Sequence, residues 1–470
     1  MFNKTKIIAT IGPASRSLSE MRAMISAGAN IFRINGSYED PVHHAKTIAT
    51  IRSASAREKA SIGALVDLPG PKFRLGQLNP NEYRLKSGTT VTLACGRKTQ
   101  KSDLIPVPDT TIARSVKPGN KIFINDGLVE LRVMGVKGNI VTCKVKAGGP
   151  IRSGKGLNLP RVPLKLPSLT KRDRELAHMA IKEDVDYVGL SFVRSASNIK
   201  ALRNIFKKKA PHIRIVAKIE KPEALDDLDN IIDAADAVMV ARGDLGIEMP
   251  FDEIPLIQRH IHQRCMAAGK PSITATQMLE SMVSSSRPTR AEATDVAQAV
   301  WEGTDAVMLS EETSVGVDPA KAVRAMAHIA HEAEKEMPDF MGIEGVRNKH
   351  EYQAYAISKA ADFLAHELNA RAIITPTRSG RTALYVSRAR PDMRIIAPTT
   401  DKRTARRMSL YWGVVPVHMP SFKTVDEMLT VAEAMARKSR FIRKGDTIVI
   451  TSGAHGKTDD ITRLVEVRTA

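Results

Sequence analysis

The sequence is poor in cysteine and in aromatic residues, and both shortages narrow the class of protein. Only Cys95, Cys143 and Cys265 occur in 470 residues, far apart and without CxxC spacing. Neither a disulfide framework nor a thiolate metal site is therefore predicted. Aromatic residues make up 4% of the chain, which leaves few ring faces on which nucleic-acid bases could stack.

Long apolar runs are also absent. No stretch approaches the roughly 20 apolar residues of a membrane-spanning helix. The N-terminal residues lead directly into a strand pattern rather than into a signal peptide. We therefore expect a cytoplasmic protein that does not enter a membrane.

Positive charge is in excess. Lys and Arg number 71 against 51 Asp and Glu, a formal net charge of +20. This balance fits either nucleic acid or small polyanionic substrates. The basic residues are spread along the chain rather than gathered in a tail, and aromatics are scarce, so nucleic acid is the weaker prediction.

The stretch 213–248 carries the strongest chemical signal. A short apolar strand ends on Lys218 and Glu220, which the two-residue repeat of a strand places on one side. A helical pattern and a second strand follow, and Asp244 comes just after that strand. Such a crossover makes the two strands parallel, so the three side chains share one sheet edge. An ion pair would explain Lys218 and Glu220 alone, but with Asp244 they predict a Mg²⁺ or Mn²⁺ site for a phosphate-bearing substrate.

Strand and helix patterns alternate eight times in two blocks of the chain. Helices are predicted at 18–27, 42–54, 171–182, 196–208, 223–234, 252–267, 290–301 and 319–335, and strands at 6–12, 30–36, 62–68, 187–193, 213–219, 237–243, 271–277 and 306–312. This count predicts an α/β fold, a (β/α)8 TIM barrel formed by residues 1–69 and 168–343.

Two other regions differ from the barrel in pattern. Residues 70–167 show short alternating stretches with turn signals, which predict an inserted all-β lid domain, a β-barrel, after strand three. Residues 344–470 return to alternating helices, predicted at 352–367, 382–388 and 403–410, and strands, predicted at 372–376, 394–397, 447–451 and 463–467. They predict a C-terminal α/β regulatory domain, doubly wound. The insertion leaves the barrel at a βα loop, where the lid would cover the catalytic face.

Nearly every predicted barrel strand ends in polar residues. These ends carry Arg33, Asn35, Ser37, Asp67, Ser191, Phe192, Lys218, Glu220, Arg242, Asp244, Thr276, Gln277, Ser310 and Glu311. One polar strand end is ordinary where a strand meets solvent, but so many favour a ligand site. None is His or Cys, whereas Arg, Lys and metal-binding carboxylates suit phosphoryl transfer.

The motifs at these strand ends resemble those of the pyruvate kinase family over essentially the whole chain. The matching segments are, in order, KIIATIGP, FRINGS, GPKFR, GKGLNLP, SFVR, AKIE, MVARGDLGIE, TATQMLESM, RPTRAE and TDAVMLSEET. The resemblance implies a barrel with a β lid and a C-terminal α/β domain, as the patterns predict. It also implies transfer of the phosphoryl group of phosphoenolpyruvate to ADP, giving pyruvate and ATP, by an allosteric homotetramer.

The resemblance assigns roles to individual residues. Glu220 and Asp244 would bind the divalent metal, Mg²⁺ or Mn²⁺. Lys218 would contact the transferring phosphoryl group, and Arg33 would hold the phosphate from the other side.

Further roles concern the nucleotide and the proton. Arg74 at the lid hinge and Asn35 would bind the nucleotide. Thr276 would stand near the face where enolpyruvate is protonated, and Ser310 would join the proton relay. Backbone amides of Gly243 and Asp244 would receive the substrate carboxylate.

The chain departs from the family pattern at several positions. Residues equivalent to the family's monovalent-cation site are Asn35, Ser37, Asp67, Leu68 and Lys72. Lys72 replaces a glutamate, and members with lysine there typically need no K⁺, because an ammonium can supply the charge of the ion. Tyr38 replaces a nucleotide-side histidine, and Glu311 stands where glycine is common; the sequence does not explain Glu311.

The C-terminal region contains one candidate anion site between a strand and a helix. It is formed by Thr375, Thr377, Arg378, Ser379, Gly380, Arg381 and Thr382, matching the family's effector-phosphate loop. On the residues alone, an ordinary capped turn is equally compatible. Paired Asp459 and Asp460 in the final loop would repel a second phosphate, so a sugar monophosphate or a nucleotide monophosphate is the expected effector.

Two other classes compete with phosphoryl transfer. A metal-dependent lyase or aldolase on a pyruvate-binding barrel would share Glu220, Asp244 and an arginine, but would not need the lid or Lys218. A basic nucleic-acid-binding protein would be supported only by the net charge.

Overall fold

The computed structural model describes residues 2–100, 103–162, 167–337, 349–438, 441–453 and 462–470. Its first part alternates strand and helix. The elements are β1 (Lys6–Ile11), α1 (Leu18–Ala27), β2 (Ile31–Asn35), α2 (Pro41–Glu58) and β3 (Gly63–Leu68).

The inserted segment consists almost entirely of short strands. They are β4 (Phe73–Arg74), β5 (Glu82–Leu85), β6 (Thr90–Cys95), β7 (Leu104–Val107), then helix α3 (Thr111–Ser115), and β8 (Lys121–Ile124), β9 (Val129–Lys137), β10 (Ile140–Ala147), β11 (Gly149–Arg152) and β12 (Gly156–Asn158). A seven-stranded sheet in the order β4-β12-β8-β9-β10-β6-β7 and a two-stranded sheet of β11 and β5 enclose a core of their own. We call this segment the lid.

After the lid the strand–helix alternation resumes. Its elements are α4 (Lys171–Lys182), β13 (Tyr187–Leu190), α5 (Ala196–Phe206), β14 (Arg214–Ile219), α6 (Glu223–Asp226), α7 (Leu228–Ala234), β15 (Ala237–Ala241), α8 (Arg242–Glu248), α9 (Ile254–Ala268), β16 (Ser272–Ala275), α10 (Arg290–Trp301), β17 (Ala306–Leu309), α11 (Glu311–Ser314) and α12 (Pro319–Ala333).

The strands of the first and third parts close into one barrel. Their order is β1-β17-β16-β15-β14-β13-β3-β2, and every pairing is parallel. The predicted (β/α)8 barrel is therefore confirmed, and all its strands end at the same face. The strand ends were predicted up to three residues too far, because the residues that follow the last paired position, such as Ser310 and Thr276, were counted with the strands.

The C-terminal region is a separate α/β layer. Its elements are α13 (Lys349–Glu367), β18 (Ala372–Ile374), α14 (Arg381–Arg388), β19 (Arg394–Thr399), α15 (Lys402–Met408), β20 (Val414–His418), α16 (Val425–Lys438), β21 (Thr447–Gly453) and β22 (Thr462–Thr469). The sheet order is β20-β19-β18-β21-β22, with only β22 antiparallel. The α/β prediction is confirmed, although β20 and α16 were missed. The predicted domain boundary at 343–344 lies outside the described residues.

Buried charges join the C-terminal layer to the N-terminal end of the barrel. The Asp186 carboxylate accepts hydrogen bonds from Arg52 Nη1 at 2.9 Å and from Arg406 Nε of α15 at 2.7 Å. Tyr187 Oη donates to the Arg407 carbonyl at 2.6 Å. The opposite end of the barrel, where the strands finish, therefore remains for the lid and the candidate site.

Among the described residues, no helix has both the length and the apolar composition needed to cross a bilayer.

One buried histidine makes the stability of the barrel sensitive to acid. His262 of α9 is fully buried, with its two ring nitrogens 2.9 Å from Ser272 Oγ and 3.0 Å from Thr274 Oγ1 of β16. Burial, with repulsion from Arg390 and Arg242, lowers the pKa of His262 to about 3. The folded protein thus keeps this ring neutral in a pH range where the unfolded chain binds a proton.

We predict that replacing His262 reduces the acid sensitivity of unfolding. Because the folded pKa lies below the unfolded value, stability falls as pH drops from 6.5 towards 3. The wild-type free energy of unfolding should fall by about 2 kcal/mol more than that of His262→Gln between pH 6.5 and 5. Urea unfolding at several pH values measures the difference. The exposed His366→Gln protein serves as the control, and parallel pH profiles for wild type and His262→Gln would contradict the prediction.

Candidate active site

The site is built around a buried lysine at the end of β14. Lys218 Nζ lies 3.1 Å from Asp67 Oδ2, 2.8 Å from Glu220 Oε1 and 2.8 Å from Ser191 Oγ. The Lys218 side chain is 9% exposed, so this ammonium is largely removed from water. Burial alone would lower the pKa of Lys218, but Asp67 and Glu220 outweigh it and raise the pKa above the ordinary lysine value. The ammonium is therefore a fixed positive charge at neutral pH.

Arg33 at the end of β2 shares the same carboxylate. Its Nε donates to Asp67 Oδ2 at 3.0 Å, and its Nη1 donates to Thr10 Oγ1 at 3.2 Å. Burial would raise the pKa of Asp67, but Lys218 and Arg33 together lower it below the ordinary aspartate value. Asp67 thus stays ionised and holds two cations side by side, as a phosphate site requires.

Glu220 is the second buried carboxylate. Its Oε2 accepts the Phe192 amide at 2.6 Å, whereas its buried Oε1 has no hydrogen bond, although Lys218 Nζ is nearby. Burial, against the opposing effect of Lys218 and with repulsion from Asp244, raises the pKa of Glu220. A cation beside both carboxylates would relieve this unfavourable electrostatic environment.

The structure gives Asp244 a partner that the sequence did not predict. Asp244 is in the first turn of α8, and its Oδ1 accepts a hydrogen bond from Lys72 Nζ at 3.1 Å. Lys72 belongs to the segment that leads into the lid. Within the described residues, its ammonium pairs with Asp244, and no ion pair joins it to Asp67, another residue of the predicted monovalent-cation site.

Glu220 and Asp244 fit a divalent cation that is only partly held by protein. Oε1 of Glu220 lies 2.8 Å from Lys218 Nζ but accepts no hydrogen bond, and Asp244 is 24% exposed at the side chain. The described part of the chain gathers no group of three or more His, Cys, Asp and Glu that could hold a metal. Mg²⁺ commonly takes one or two carboxylates and completes its shell with water and substrate oxygens, so this donor set suits it.

The next two strand ends are tied to each other. Thr276, with φ of 72°, has its Oγ1 2.7 Å from the Gly243 amide, which donates to it. Arg242 Nη2 donates to the Thr276 carbonyl at 2.8 Å, and its Nη1 pairs with Asp295 at 2.6 Å. Arg242 and Gly243 thus begin α8 rather than ending a strand as predicted, and the Gly243 amide is already occupied by Thr276.

Ser310 is held in place by a buried glutamate, Glu312, which was not among the predicted site residues. Glu312 accepts the Ser310 amide at 2.6 Å and the Leu279 amide at 3.1 Å, so it joins the loops that follow β17 and β16. Burial raises the pKa of this carboxyl. An acidic residue three positions after Leu309, the last residue of β17, was a usable signal, because a carboxylate close to a buried strand end needs hydrogen-bond partners.

The remaining predicted residues lie at the rim. Asn35 Oδ1 accepts the Ser37 amide at 3.1 Å, a local turn, and Tyr38 is 65% exposed. Arg74 Nη1 donates to the Gly154 carbonyl at 3.0 Å within the lid. Leu68 is fully buried as the last residue of β3.

The candidate effector loop lies far from these strand ends. Gly380, with φ of 87°, donates its amide to Thr377 Oγ1 at 3.0 Å, and Thr382 Oγ1 lies 3.2 Å from Thr462 Oγ1. Arg378 and Arg381 are exposed, Ser379 is half-buried, and Thr375 is fully buried. Asp459 and Asp460 lie outside the described residues.

Another concavity, of about 1170 Å³, lies at the opposite end of the barrel. Its lining includes Lys6 at the start of β1 and Arg406 of α15. Because active sites of such barrels form from the C-terminal strand ends, the cluster around Lys218 is the candidate site.

The architecture and this cluster define a class: a TIM-barrel enzyme whose βα-loop face, with paired cations and two metal-type carboxylates, lies beneath an inserted lid. Comparison with known proteins specifies it further. Family models described as "Pyruvate kinase, barrel domain" and "Pyruvate kinase, alpha/beta domain" match residues 2–323 and 355–467. The chain belongs to the pyruvate kinase family and is a phosphotransferase that depends on a divalent metal.

Individual relatives are similar over nearly the whole chain. A pyruvate kinase of Clostridium acetobutylicum is 38% identical over 468 residues, which cover 99% of both proteins. One from Geobacillus stearothermophilus is 40% identical over 473 residues, 99% of this chain and 80% of that protein. One from Corynebacterium glutamicum is 36% identical over 469 residues, 99% of this chain and 98% of that protein. The resemblance inferred from the motifs is confirmed.

Proposed function

We propose that the face around Lys218 transfers the phosphoryl group of phosphoenolpyruvate to ADP, giving pyruvate and ATP. One observation carries this proposal: the buried ammonium of Lys218 lies between Asp67 and Glu220, and Arg33 pairs with Asp67 as well. Phosphoryl transfer needs alignment and neutralisation of charge more than a protein nucleophile. The named relatives support the same reaction.

In this proposal Arg33 and Lys218 hold the phosphoryl group from two sides. The bond between phosphorus and the enol oxygen breaks, and a bond to the terminal phosphate oxygen of ADP forms. Lys218 neutralises charge on the moving group, since its raised pKa keeps it protonated. Arg74 and Asn35 contact the nucleotide phosphates at the rim.

The enolate of pyruvate that remains must take up a proton at carbon. We assign Thr276 to that face and Ser310 to the relay that delivers the proton. Thr276 is oriented by the Gly243 amide, and Ser310 by Glu312. The substrate carboxylate would bind at the start of α8, where the Asp244 amide follows the occupied amide of Gly243.

Mg²⁺ or Mn²⁺, bound by Glu220 and Asp244, would supply positive charge to the carboxylate and phosphate of the substrate when present. The charges of the protein side chains agree with a need for a metal cation. Lys218 and Arg33 together balance the charges of Asp67 and Glu220, so an arriving trianionic substrate needs further positive charge.

ATP formation from phosphoenolpyruvate, ADP and Mg²⁺ tests the proposal. Wild type should form ATP, and chelation of the metal should abolish the reaction. Lys218→Met should lower kcat by about 10²–10³, because one preorganised charge on the reacting group is lost. The exposed Lys200→Met protein is the control.

Phosphorus NMR follows substrate and both nucleotides directly. Pyruvate and inorganic phosphate formed without ATP would show transfer of the phosphoryl group to water instead of ADP and would contradict the proposal. Wild-type kcat for Lys218→Met would contradict the role of this lysine.

We further propose that catalysis needs no K⁺. Lys72 supports this, because its ammonium already stands at the site, 3.1 Å from Asp244 Oδ1. Leu68 also offers no side-chain oxygen to an ion at the family's monovalent-cation position. A resident ammonium and a bound K⁺ would supply the same charge.

Replacing K⁺ by tetramethylammonium at fixed ionic strength should leave the wild-type rate unchanged. Lys72→Glu should lose most activity in tetramethylammonium and regain it when K⁺ is added, since the ion restores the missing charge. Lys117→Glu makes the same charge change at an exposed position of the lid and should behave like wild type. A wild-type rate that collapses without K⁺ would overturn the proposal.

We also propose allosteric activation at the loop 375–382. Two exposed guanidiniums, Arg378 and Arg381, flank the N-terminus of α14, where backbone amides favour an anion. A sugar monophosphate or a nucleotide monophosphate is the expected class of effector.

Arg381→Ala should therefore weaken activation while leaving activity without effector unchanged. Titrating a panel of sugar monophosphates and nucleotide monophosphates should show an activation constant raised by about tenfold, the loss of one charge-assisted contact. Arg443→Ala, an exposed arginine outside the loop, is the control. Unchanged activation in Arg381→Ala would remove this loop as the effector site.

We place the enzyme in the cytoplasm as a homotetramer. Exposed apolar side chains support an oligomer, since Phe251 is 86% exposed, Leu256 71% and, on α13, Phe363 63%.

A further inference from the structure

Asp173 joins the two places where the chain crosses between barrel and lid. It lies in the first turn of α4 and is fully buried. Its Oδ1 accepts the amide of Gly70, two residues after β3, at 3.0 Å. Its Oδ2 accepts the Thr170 amide at 2.8 Å and the Thr170 hydroxyl at 2.7 Å. One carboxylate thus binds the outgoing and the returning segments together.

The contact with Gly70 exceeds what the helix cap needs. Thr170 and Asp173 form a capping box, in which each side chain accepts a backbone amide of the other. That motif uses only Oδ2 of Asp173. Oδ1 instead reaches 103 residues back along the chain to Gly70. An asparagine has one oxygen and could serve the cap or Gly70, but not both.

Gly70 is itself packed against the residues that hold the catalytic lysine. Its φ is +65°, and a Cβ there would lie 2.9 Å from Phe192 Cδ2 and 3.2 Å from Ser191 Cβ. Ser191 accepts a hydrogen bond from Lys218, and the Phe192 amide donates to Glu220. The outgoing lid segment therefore bears directly on the end of β13 that supports the site.

We infer that Asp173 is a positioning residue that fixes the pivot of the lid over the active site. This rests on the proposed function, in which ADP binds between the lid residue Arg74 and the barrel. With both crossings tied to one buried carboxylate, the lid turns about a fixed point and Arg74 reaches a defined position. Arg33 and Lys218, which hold phosphoenolpyruvate in this proposal, lie on barrel strands and are held there by Asp67 rather than by Asp173.

Loss of the pivot should weaken nucleotide binding selectively. In Asp173→Asn the lid samples more orientations, and fewer of them are competent to bind ADP. If the competent fraction falls to about a tenth, the apparent KM for ADP rises about tenfold. The KM for phosphoenolpyruvate should change less than twofold.

Distances between paired spin labels report the lid orientation directly. The native cysteines suit this design because Cys95, Cys143 and Cys265 are buried. Burial also raises the pKa of the Cys95 thiol to about 11 and that of Cys143 to about 12. Engineered cysteines at the exposed Lys137 of the lid and Lys207 of the barrel therefore take the labels.

The full chain should give a narrow distance distribution, and Asp173→Asn a broader one. Gly70→Ala is the second variant, since it disturbs the same pivot without removing the buried charge, and it should also broaden the distribution. Because its Cβ would press on Ser191 and Phe192, which contact Lys218 and Glu220, this variant is judged by the label distances and not by KM. It keeps the inference testable if Asp173→Asn does not fold.

Asp318→Asn is the matched control. Asp318 caps α12 through the Lys321 amide, and α12 follows β17, across the barrel from β3 and β13. It should leave both KM values and the label distances unchanged. The inference would be overturned if Asp173→Asn lowered the melting temperature but left the label distances unchanged and altered the KM values for ADP and phosphoenolpyruvate equally. Asp173 would then act only as a helix cap. Label distances do not depend on turnover. A protein that formed no ATP would therefore refute the proposed function, whereas the label distances would still show whether Asp173 fixes the lid orientation.

Discussion

A buried lysine that stays charged needs carboxylates close to it, and this requirement organises the face where the barrel strands end. Lys218 is held by Asp67 and Glu220, and each carboxylate needs further donors to remain ionised in the interior. Arg33 and Thr10 complete the group on one side. Ser191 and the Phe192 amide complete it on the other. The ends of β1, β2, β3, β13 and β14 are therefore fixed by one set of charges, and removal of one member would leave another buried without a partner.

Much of the architecture could be predicted from local patterns. Helix α10 was predicted with its observed bounds, because Thr289 and Glu292 form a capping box that marks its start. Strand β20 was missed because Pro416 interrupts its apolar run. The sheet tolerates this proline since β20 lies at an edge, where a backbone amide is not needed on the outer side. For α16 the signal was present, as Thr424 and Glu427 cap its first turn.

The catalytic cluster was predictable for a different reason. In a parallel barrel every strand ends at one face, so Lys218, Glu220 and Asp67 could be grouped without knowing any distance. Contacts between distant segments could not be obtained in this way. Lys72 meets Asp244 across 172 residues, and Asp173 meets Gly70 across 103. Such pairs depend on how the lid is placed on the barrel, and two-residue or 3.6-residue periodicity contains no information about that placement.

The pairing of Lys72 with Asp244 links the lid to the two carboxylates proposed to bind the metal. Glu220 is fixed from two sides and buried, whereas Asp244 is 24% exposed and is neutralised by an ammonium from the lid segment. A second contact follows the same plan, since Lys221 of the barrel pairs with Glu248 at 2.6 Å and Asn158 of the lid reaches that carboxylate at 3.4 Å. A divalent cation at Asp244 would reduce the attraction of that carboxylate for Lys72, because both cations compete for the same oxygens. If the metal binds at Asp244 as proposed, metal binding and lid position would act on the same side chain, and neither would require a change in the barrel strands.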